Sequence, residues 1–400
     1  MKQRMAALSS RVGGGFEREW RGGNAIGLLE SGQAYFPALE AAIDGAWREV
    51  LLQTYIFAPD ATGRRIAAAL MRAAARGVVA RVLVDGFGSR AFVRDLMADM
   101  IAAGVEVLVF RRELRVLPIR RRLRRMHCKV AVVDGRVAFV GGINIVDDFD
   151  AEAPAHPRHD YVVRIEGALL GPILAASWRL WRLTSWVSLR RRVRGTYRVE
   201  APARAADGMR AIFLVRDNLR HRNDIENAYL EAIARARDEI VLANAYFFPG
   251  RRFRHALLAA AGRGVKVTLL LQGVADHPLM QYATRALYPI FLERGIRLFE
   301  YRRSLLHAKV AVVDHHWATV GSSNIDPFSL LLAREANVAI DDTGFAAELE
   351  SRLRAAIREG ALELRREDWR RLSRLRRLLC WLTYQAVRLA TGIVGQGGKR

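Results

Sequence analysis

An eight-residue motif that occurs twice in the chain constrains the fold more than any other feature. Residues 127–144 read HCKVAVVDGRVAFVGGIN, and residues 307–324 read HAKVAVVDHHWATVGSSN. The core His-x-Lys-Val-Ala-Val-Val-Asp differs only at x, and the two copies begin 180 residues apart. Self-similarity of this kind indicates that the chain consists of two structurally equivalent halves.

The halves also match upstream of the motif, and the matching segments predict the fold class. An apolar segment follows an amphipathic stretch at residues 49–52 and again at residues 239–242. An Arg-Gly-Val turn precedes a second apolar segment at residues 76–78 and again at residues 263–265. Apolar strands that alternate with Ala/Arg-rich helices are typical of α/β proteins with buried sheets. We therefore expect two pseudo-symmetric α/β domains, each a mixed, mostly parallel sheet flanked by helices.

The order of these matches sets the expected domain boundaries. Domain 1 is placed at residues 25–185 and domain 2 at residues 205–345, with an Arg/Ala-rich joint at residues 190–207. An insertion without a counterpart in the second half precedes the first motif and carries eight arginines within residues 111–125. Residues 346–400 are expected to form a basic, mostly helical tail.

Composition and charge exclude several classes of protein. With 51% hydrophobic residues, a chain of 400 residues can bury a core, which excludes wholesale disorder. Two cysteines cannot form a disulfide framework or a Cys-rich zinc site, and they fit a reducing compartment. Lys and Arg total 64 against 41 Asp and Glu, a formal net charge of +23. This charge indicates an anionic partner, either nucleic acid or an anionic membrane surface.

The sequence predicts neither a membrane span nor a secretion signal. No segment approaches about 20 consecutive apolar residues, the length that a spanning helix requires. Residues 1–21 contain five basic residues but no sustained apolar run. We therefore expect a cytoplasmic protein, either free or attached to a membrane from that side.

The motif places a histidine and a lysine on the same face of a strand. Successive side chains alternate between faces, so His127 and Lys129 point one way, as do His307 and Lys309. Burying an imidazole beside an ammonium group without partners costs several kcal/mol, which argues against a simple core pair. The chain has 59 arginines and only five lysines, so lysines retained in both motifs indicate positions that a planar guanidinium cannot fill.

Two such pairs in a shared pocket suit a reaction at phosphorus. Lysine is a compact cation for a phosphate oxygen, a neutral histidine can attack phosphorus, and a second, protonated histidine can donate to the leaving oxygen. The turns that end in Asn144 and Asn324 add close backbone approach and an amide donor for the same phosphate. Ser322 adds a hydroxyl to the second turn, where the first turn has Gly142.

Each of these histidines needs a group that fixes its tautomer. Asp160 and Glu335 occupy comparable positions before apolar β-like runs, so each is a candidate histidine-orienting carboxylate, with a plain surface carboxylate as the alternative. We expect no metal and no other cofactor, because the nine histidines show no ligand spacing apart from His315-His316. Neighbouring side chains on a strand face opposite ways, which favours a solvated turn for that pair.

The pattern His-x-Lys-x4-Asp-x6-Gly-[Gly/Ser]-x-Asn, twice in one chain, resembles the phospholipase D superfamily over residues 25–345. Glu30-Ser31-Gly32, the arginine-rich approach to the first motif and Tyr246-Phe247-Phe248-Pro249 are similar to bacterial cardiolipin synthases of the subgroup without N-terminal transmembrane helices. The resemblance implies two phospholipase D-like domains and a ping-pong phosphatidyl transfer through a phosphohistidine, without metal.

The resemblance also implies roles for the motif residues. His127 and His307 match the catalytic pair, with His127 as nucleophile and His307 as acid, although the near-symmetry of the motifs leaves this order open. Asp134 and Asp314 match the aspartates of the catalytic motif, which we expect to be held structurally by backbone or arginine partners. The remaining motif positions match phosphate-binding lysines and substrate-binding asparagines: Lys129, Lys309, Asn144 and Asn324.

Three functions are consistent with the sequence. The first is a phosphatidyltransferase that joins two phosphatidylglycerols into cardiolipin with release of glycerol; water as acceptor would instead give phospholipase D activity. The second is a phosphodiesterase or nuclease, which the charge would suit, although the basic clusters lack interleaved aromatic residues for base stacking. The third is a non-enzymatic basic membrane-binding protein, against which two intact motifs argue.

We expect the first function, with anionic phospholipids and a membrane surface as partners. No nucleic acid and no obligate protein partner are inferred, because two motifs in one chain do not require a dimer. The expected location is peripheral, on the cytoplasmic face of the bacterial inner membrane.

The basic tail and the arginine-rich insertion are the candidate membrane-binding segments. Such an insertion is either a solvated loop or a guide for anionic headgroups. On a helix over residues 370–393, most arginines lie opposite an apolar arc, so the helix either packs on the core or lies in a bilayer interface. The apolar arc consists of Leu372, Leu375, Leu379, Leu382, Ala386, Leu389 and Ile393.

Overall fold

The two halves of the chain fold into the same series of strands. The computed structural model describes residues 19–111, 124–149, 156–188, 208–217, 220–274 and 278–395. The strands of the first half are β1 (Arg21–Glu30), β2 (Glu49–Thr54), β3 (Val79–Asp85), β4 (Glu106–Phe110), β5 (Lys129–Val133), β6 (Val137–Gly141) and β7 (Tyr161–Gly167). Those of the second half are β8 (Met209–Arg216), β9 (Glu239–Asn244), β10 (Lys266–Gln272), β11 (Arg297–Tyr301), β12 (Lys309–Val313), β13 (Trp317–Gly321), β14 (Glu335–Asp341) and β15 (Ala361–Leu364).

Helices connect these strands and cover the sheet. The first half contains α1 (Ser31–Asp44), α2 (Ala61–Ala75), α3 (Arg90–Asp95), α4 (Met97–Ala102) and α5 (Leu170–Val187). The second half contains α6 (Asp224–Arg235), α7 (Arg251–Gly262), α8 (Pro278–Arg285), α9 (Tyr288–Glu293), α10 (Pro327–Leu331), α11 (Thr343–Gly360), α12 (Arg366–Arg371) and α13 (Arg374–Gly395). The predicted joint at 190–207 and most of the arginine-rich insertion, residues 112–123, lie outside the described residues.

The strands form one sheet in which the two halves occupy equivalent positions. Its order is β4-β3-β2-β5-β6-β7-β1-β8-β14-β13-β12-β9-β10-β11-β15. β1 and β8 pair antiparallel at the centre, and each strand of the first half has an equivalent at the same distance on the other side. The prediction of an α/β chain built from two pseudo-symmetric repeats is confirmed.

The expectation of a mostly parallel sheet is corrected by the strand pairing. β2, β3 and β4 are parallel, as are β9, β10 and β11, because helices return the chain between them. β5, β6 and β7 are antiparallel, as are β12, β13 and β14. The sequence shows helices alternating with strands upstream of each motif. That alternation stops at the motif, because β5–β6 and β12–β13 form antiparallel hairpins. Each half-sheet is therefore mixed, with parallel strands on its outer side.

Burial of both sheet faces explains why the strands read as continuous apolar runs. β2 and β5 are buried at every position. Helices such as α1 and α2 cover the outer face of the first half, and α6 and α7 cover that of the second. The inner faces pack against each other and against α5 and α11, forming a hydrophobic core that both halves share. This packing turns the starts of β5 and β12 toward the same region.

The segment that the sequence assigns to the tail begins inside the fold. Asp342 caps α11 by accepting a hydrogen bond from the N–H of Phe345 at 2.8 Å, and α11 buries Leu349 and Leu353 in the shared core. β15 then pairs with the edge strand β11. Of the residues assigned to the tail, 346–360 are thus part of the second half. No helix within the described parts of the chain is long and apolar enough to span a bilayer.

Candidate active site

Hydrogen bonds between the halves bring the motif histidines to one region. The N–H of His127 donates to the carbonyl of Arg334 at 2.9 Å, and the N–H of Arg334 donates to the carbonyl of Arg125 at 2.8 Å. In the second half, the N–H of His307 donates to the carbonyl of His159 at 2.8 Å. The start of the first motif therefore lies beside Arg334, which precedes Glu335. The start of the second motif lies beside His159, which precedes Asp160.

Each candidate orienting carboxylate contacts the histidine of the opposite half. Nδ1 of His127 lies 3.0 Å from Oε1 of Glu335, and Nδ1 of His307 lies 2.6 Å from Oδ2 of Asp160. Both carboxylates are buried. A carboxylate at Nδ1 holds the proton on that nitrogen, which leaves the lone pair of the neutral ring on Nε2. The sequence identifies both carboxylates, but not that each contacts the histidine of the other half.

Burial disfavours the charged form of both imidazoles. Desolvation lowers the pKa of His127, and the Glu335 carboxylate partly offsets this effect. Burial, together with the nearby Lys309 and Arg158 cations, holds the pKa of His307 well below its usual range. Both rings are therefore neutral near pH 7 until an anionic ligand enters and favours protonation. A neutral ring is the form that can act as a nucleophile.

The motif lysines are buried directly behind the histidines. Nζ of Lys129 donates to the carbonyl of His127 at 2.7 Å. Nζ of Lys309 donates to the carbonyl of His307 and lies 3.5 Å from Oδ2 of Asp160. Burial lowers the pKa of Lys129 to about 7 and also lowers the pKa of Lys309. The lysines concentrate positive charge at the site without forming part of the described cavity lining.

One cavity of about 440 Å³ receives both histidines. The predicted asparagines also line it, but their amides differ in environment. Oδ1 of Asn144 accepts a hydrogen bond from the N–H of Ile56 at 3.1 Å. Oδ1 of Asn324 is buried and has no hydrogen-bond partner among the described residues. This oxygen can only accept, so a ligand that pairs with it must present a donor such as a hydroxyl, and pairing is favoured because an unpaired buried acceptor is unfavourable.

Ser322 lies behind the site rather than in the cavity wall. Its hydroxyl donates to Oε2 of Glu335 at 2.5 Å and accepts from the N–H of Ala336 at 3.0 Å. In the first half, a Cβ at Gly142 would lie 2.3 Å from both carboxylate oxygens of Asp160. The second motif therefore has Ser322 beside the longer side chain of Glu335. The first motif has Gly142 at the equivalent position, because a larger residue would collide with the shorter side chain of Asp160. The substrate-binding hydroxyl predicted at Ser322 is instead a partner of the carboxylate that orients His127.

The motif aspartates lie at the opposite ends of their strands from the histidines. Asp134 accepts hydrogen bonds from the N–H groups of Arg48 at 2.9 Å and Glu49 at 2.8 Å. Asp314 accepts from the equivalent N–H groups, including that of Asp238 at 2.9 Å. Both aspartates have positive φ, +54° and +49°, in the hairpin turns. They tie the hairpins to β2 and β9 and do not reach the cavity.

The sequence reasoning named none of five polar cavity-lining residues as an individual site residue: Tyr55, Arg125, Tyr246, Asp326 and Ser329. Tyr55 follows β2, and its ring centroid lies 4.9 Å from that of His127. Arg125 lies two residues before His127, at the end of the arginine-rich insertion. Asp326 caps α10 by accepting from the N–H of Phe328 at 2.7 Å, and burial raises its pKa to about 6. Tyr55 could have been found, because β2 ends beside the start of β5.

A separate group of potential metal ligands lies away from this cavity. Ligand-type atoms of Glu239, His315 and Glu350 lie within 4.8 Å of one another. Arg354 donates to both glutamates, and Nδ1 of His315 lies 2.6 Å from Oε2 of Glu350. The acidic oxygens therefore already have cationic or proton-donating partners. The His315-His316 pair occupies the turn between β12 and β13, with about half of each side chain exposed.

Comparison with known proteins identifies the family. Residues 39–148 and 229–357 match the family described as cardiolipin synthase, PLD-like domain. The chain is 42% identical to cardiolipin synthase B of Escherichia coli over 339 residues, 84% of this chain and 81% of that protein. It is 33% identical to cardiolipin synthase A of Proteus mirabilis over 337 residues, 82% of this chain and 68% of that protein. The chain belongs to the cardiolipin synthase family of phospholipase D-type phosphatidyltransferases, which confirms the resemblance carried by the repeated motif.

Solved structures support the same fold at much lower identity. The crystal structure of phosphatidylserine synthase from Haemophilus influenzae superposes with a TM-score of 0.71 at 15% identity, covering 96% of this chain and 98% of that one. Polyphosphate kinase from Porphyromonas gingivalis gives a TM-score of 0.56 at 16% identity, covering 85% of this chain and 48% of that one. These likenesses show that the two-repeat architecture is shared.

Proposed function

We propose that this chain transfers a phosphatidyl group from one phosphatidylglycerol to a hydroxyl of a second, forming cardiolipin and releasing glycerol. The observation that carries the proposal is that His127 and His307, contributed by different halves, line one cavity of about 440 Å³. Each has its Nδ1 held by a buried carboxylate, so both Nε2 atoms are poised for chemistry. The names of the relatives support the choice of phospholipid as substrate.

In the first step, Nε2 of neutral His127 attacks the phosphorus of the donor lipid. An N–P bond forms while the P–O bond to the leaving glycerol breaks, and protonated His307 gives its proton to that oxygen. Entry of the anionic phosphodiester favours the protonated form of His307. The step leaves a phosphatidyl group on His127 and a neutral His307.

In the second step, a hydroxyl of the acceptor phosphatidylglycerol attacks the same phosphorus. His307 removes the hydroxyl proton, a new P–O bond forms, and the N–P bond to His127 breaks. Cardiolipin leaves, and both histidines return to their starting states. Water in place of the acceptor would give phosphatidic acid, the phospholipase D outcome.

Lys129 and Lys309 provide the charge that this mechanism requires without a metal ion. Their side-chain nitrogens contact the carbonyls of the two histidines, so in the protonated form each lysine brings positive charge next to its histidine. An anionic phosphodiester in the cavity favours that protonated form. Preorganised charge of this kind stabilises negative charge that develops on phosphoryl oxygens. The unpaired Oδ1 of Asn324 can accept a hydrogen bond from a hydroxyl of the substrate.

We place the reaction at the cytoplasmic face of the bacterial inner membrane, with the chain bound peripherally. The net charge of +23 supports attraction to anionic phospholipids, at roughly 1 kcal/mol per basic residue near the surface.

Purified protein incubated with phosphatidylglycerol and EDTA tests the proposal, with products separated by thin-layer chromatography. We expect cardiolipin and glycerol from the wild type, and neither from His127→Ala or His307→Ala. His255→Ala, an exposed histidine on α7, is the matched control and should retain activity. Substantial turnover by either motif variant would overturn the shared-cavity mechanism. Phosphatidic acid alone would indicate phospholipase D, and nicked plasmid with untouched lipid would indicate a nuclease.

Mass spectrometry of quenched reactions tests whether a covalent intermediate forms and which histidine carries it. A phosphatidyl adduct on His127 is expected, and it should be absent from His127→Ala. An adduct on His307 would reverse the roles of the two histidines. Product formation without any adduct would exclude the two-step route.

A further inference from the structure

Helix α13 packs on the protein through one side and exposes its leucines on the other. Cys380 is buried, and the Tyr384 ring packs on Phe248 with centroids 5.4 Å apart. The Tyr384 hydroxyl accepts a hydrogen bond from Arg254 at 3.1 Å. Leu375 and Leu389 are 66% and 68% exposed.

The spacing of these residues shows that the exposed leucines form one stripe. Positions 375, 379, 382 and 389 recur at the three- and four-residue intervals of a single helix face. Positions 380 and 384 share the opposite face, because a helix advances about 100° per residue. The members of the predicted apolar arc at positions 375, 379, 382, 386 and 389 therefore point away from the protein core. Leu372 lies between α12 and α13, so the single helix predicted over residues 370–393 is interrupted there. Exposed arginines flank the stripe at positions 374 and 376, about 100° from Leu375 on either side.

Helix α13 lies beside the catalytic cavity. α13 packs against α8 and contacts α10, and these two helices contribute Met280 and Phe328 to the cavity lining. Leu279 is 70% exposed and Phe328 is also exposed. We call the exposed apolar residues of these three contacting helices the docking face: Leu279, Phe328, Leu375, Leu379, Leu382 and Leu389.

A second exposed aromatic ring lines the cavity and has arginines beside it. The ring of Phe87 lines the cavity, is partly exposed, and has the guanidinium carbons of Arg90 and Arg125 at 4.5 Å and 4.6 Å from its centroid. The cavity lining thus contains two exposed aromatic rings, Phe87 and Phe328, and Phe87 has arginines beside it.

We propose that the docking face inserts into the interface of an anionic phospholipid bilayer and turns the cavity mouth toward the headgroups. A leucine stripe flanked by arginines is the pattern of helices that lie in that interface, since the leucines enter the acyl boundary while the arginines meet phosphates. A protein partner would not explain why the stripe adjoins a cavity that takes a lipid headgroup. This choice of occupant rests on the proposed function.

Co-sedimentation with vesicles of equimolar phosphatidylcholine and phosphatidylglycerol tests the proposal with the full chain. The docking variant carries Leu375→Ser, Leu379→Ser and Leu382→Ser, none of which lines the cavity. The control variant carries Trp47→Ser and Ile101→Ser, two exposed apolar residues of the first half. We expect the docking variant to lose vesicle partitioning by about tenfold or more and the control variant by less than about twofold.

Equal sedimentation of the docking variant and the wild type would overturn the proposal. If light scattering shows that the wild type is a dimer and the docking variant a monomer, with vesicle binding unchanged, the face is an interface between copies of the chain. Circular dichroism spectra should coincide for all three proteins, because exposed side chains contribute little to folding.

Activity on two forms of substrate separates failure of this proposal from failure of the proposed function. On short-chain phosphatidylglycerol below its micelle concentration, the docking variant should keep wild-type turnover. On vesicles its turnover should fall with its binding. A wild type inactive on both forms would refute the proposed function, whereas sedimentation would still decide whether the docking face binds membrane. Equal loss on both forms would refute a role in membrane docking.

Discussion

At the residue scale, the two halves orient their catalytic histidines with different side chains. His127 is held by Glu335, whose second oxygen accepts from Ser322, whereas His307 is held by Asp160, which also lies 3.5 Å from Lys309. The near-identical motifs therefore place their imidazoles in unequal surroundings. This difference gives a physical basis for assigning different roles to two histidines in equivalent positions.

Gly142→Ala tests how strictly Asp160 must be placed. The new Cβ would lie 2.3 Å from the Asp160 carboxylate, which must then move away from His307. We expect kcat to fall by about 100-fold, the effect of a displacement of about 1 Å at a catalytic group. Gly171→Ala, where a Cβ meets nothing within 4 Å, is the control. A Gly142→Ala enzyme with normal kcat would show that the position of Asp160 is unimportant.

The pH dependence of kcat/KM tests the environment of the histidines. Falling pH protonates the nucleophile and removes activity, so a lower pKa moves the acid limb to lower pH. Because burial lowers the pKa of both rings from 6.5, we expect the acid limb below pH 6.5. Initial rates from pH 4.5 to pH 8 on short-chain phosphatidylglycerol measure it. An acid limb at or above pH 6.5 would contradict the buried, neutral imidazoles.

At the element scale, the hairpins that follow the motif histidines fix the strands that carry them. The side chain of Asp134 accepts hydrogen bonds from backbone N–H groups at the start of β2, including those of Trp47 and Glu49. β2 in turn pairs with β5, which begins at Lys129. The aspartate thus fixes the relation between two strands and contributes to the site only through them.

Asp134→Ala should therefore reduce stability rather than chemistry. Losing the acceptor for several backbone N–H groups should lower the free energy of unfolding by about 2–4 kcal/mol. Asp134→Asn should be milder, since asparagine tolerates positive φ and its carbonyl oxygen can accept the bonds from Arg48 and Glu49 that Oδ1 accepts, losing only the bond from Trp47 to Oδ2. Urea denaturation measures the stability, and turnover per folded molecule measures the chemistry. Loss of turnover at unchanged stability would instead make Asp134 a catalytic residue.

At the scale of the whole molecule, the shared core makes each half depend on the other. The inner faces of both half-sheets pack together with α5 and α11. Each catalytic histidine also takes its carboxylate from the opposite half. Folding of one half without the other would expose the shared core and leave both histidines without their partners.

We therefore expect the chain to unfold in one cooperative transition. Calorimetry should give a single endotherm, because separating the halves exposes the core on both sides. Leu174→Ala, at a fully buried position in α5, should destabilise the chain by about 2–5 kcal/mol and shift that whole endotherm. Two resolved transitions, with only one shifted, would show that the halves fold independently.

The sequence by itself determined the features that depend on local order along the chain. The repeated motif predicts two equivalent halves, and strand alternation puts His127 with Lys129 and His307 with Lys309 on common faces. Apolar periodicity predicts a leucine stripe near the C-terminus. The prediction of equivalent halves succeeds because repetition records the same series of apolar and polar faces in each half.

Only the tertiary structure decided what each of those faces meets. It pairs Glu335 with His127 across the halves, uses Ser322 to hold that glutamate, and draws α11 into the shared core. It also turns the stripe of α13 outward. The reason is physical: the pattern of one element fixes its own exposed and buried sides, whereas its neighbour depends on sheet order and on packing between residues far apart in the chain.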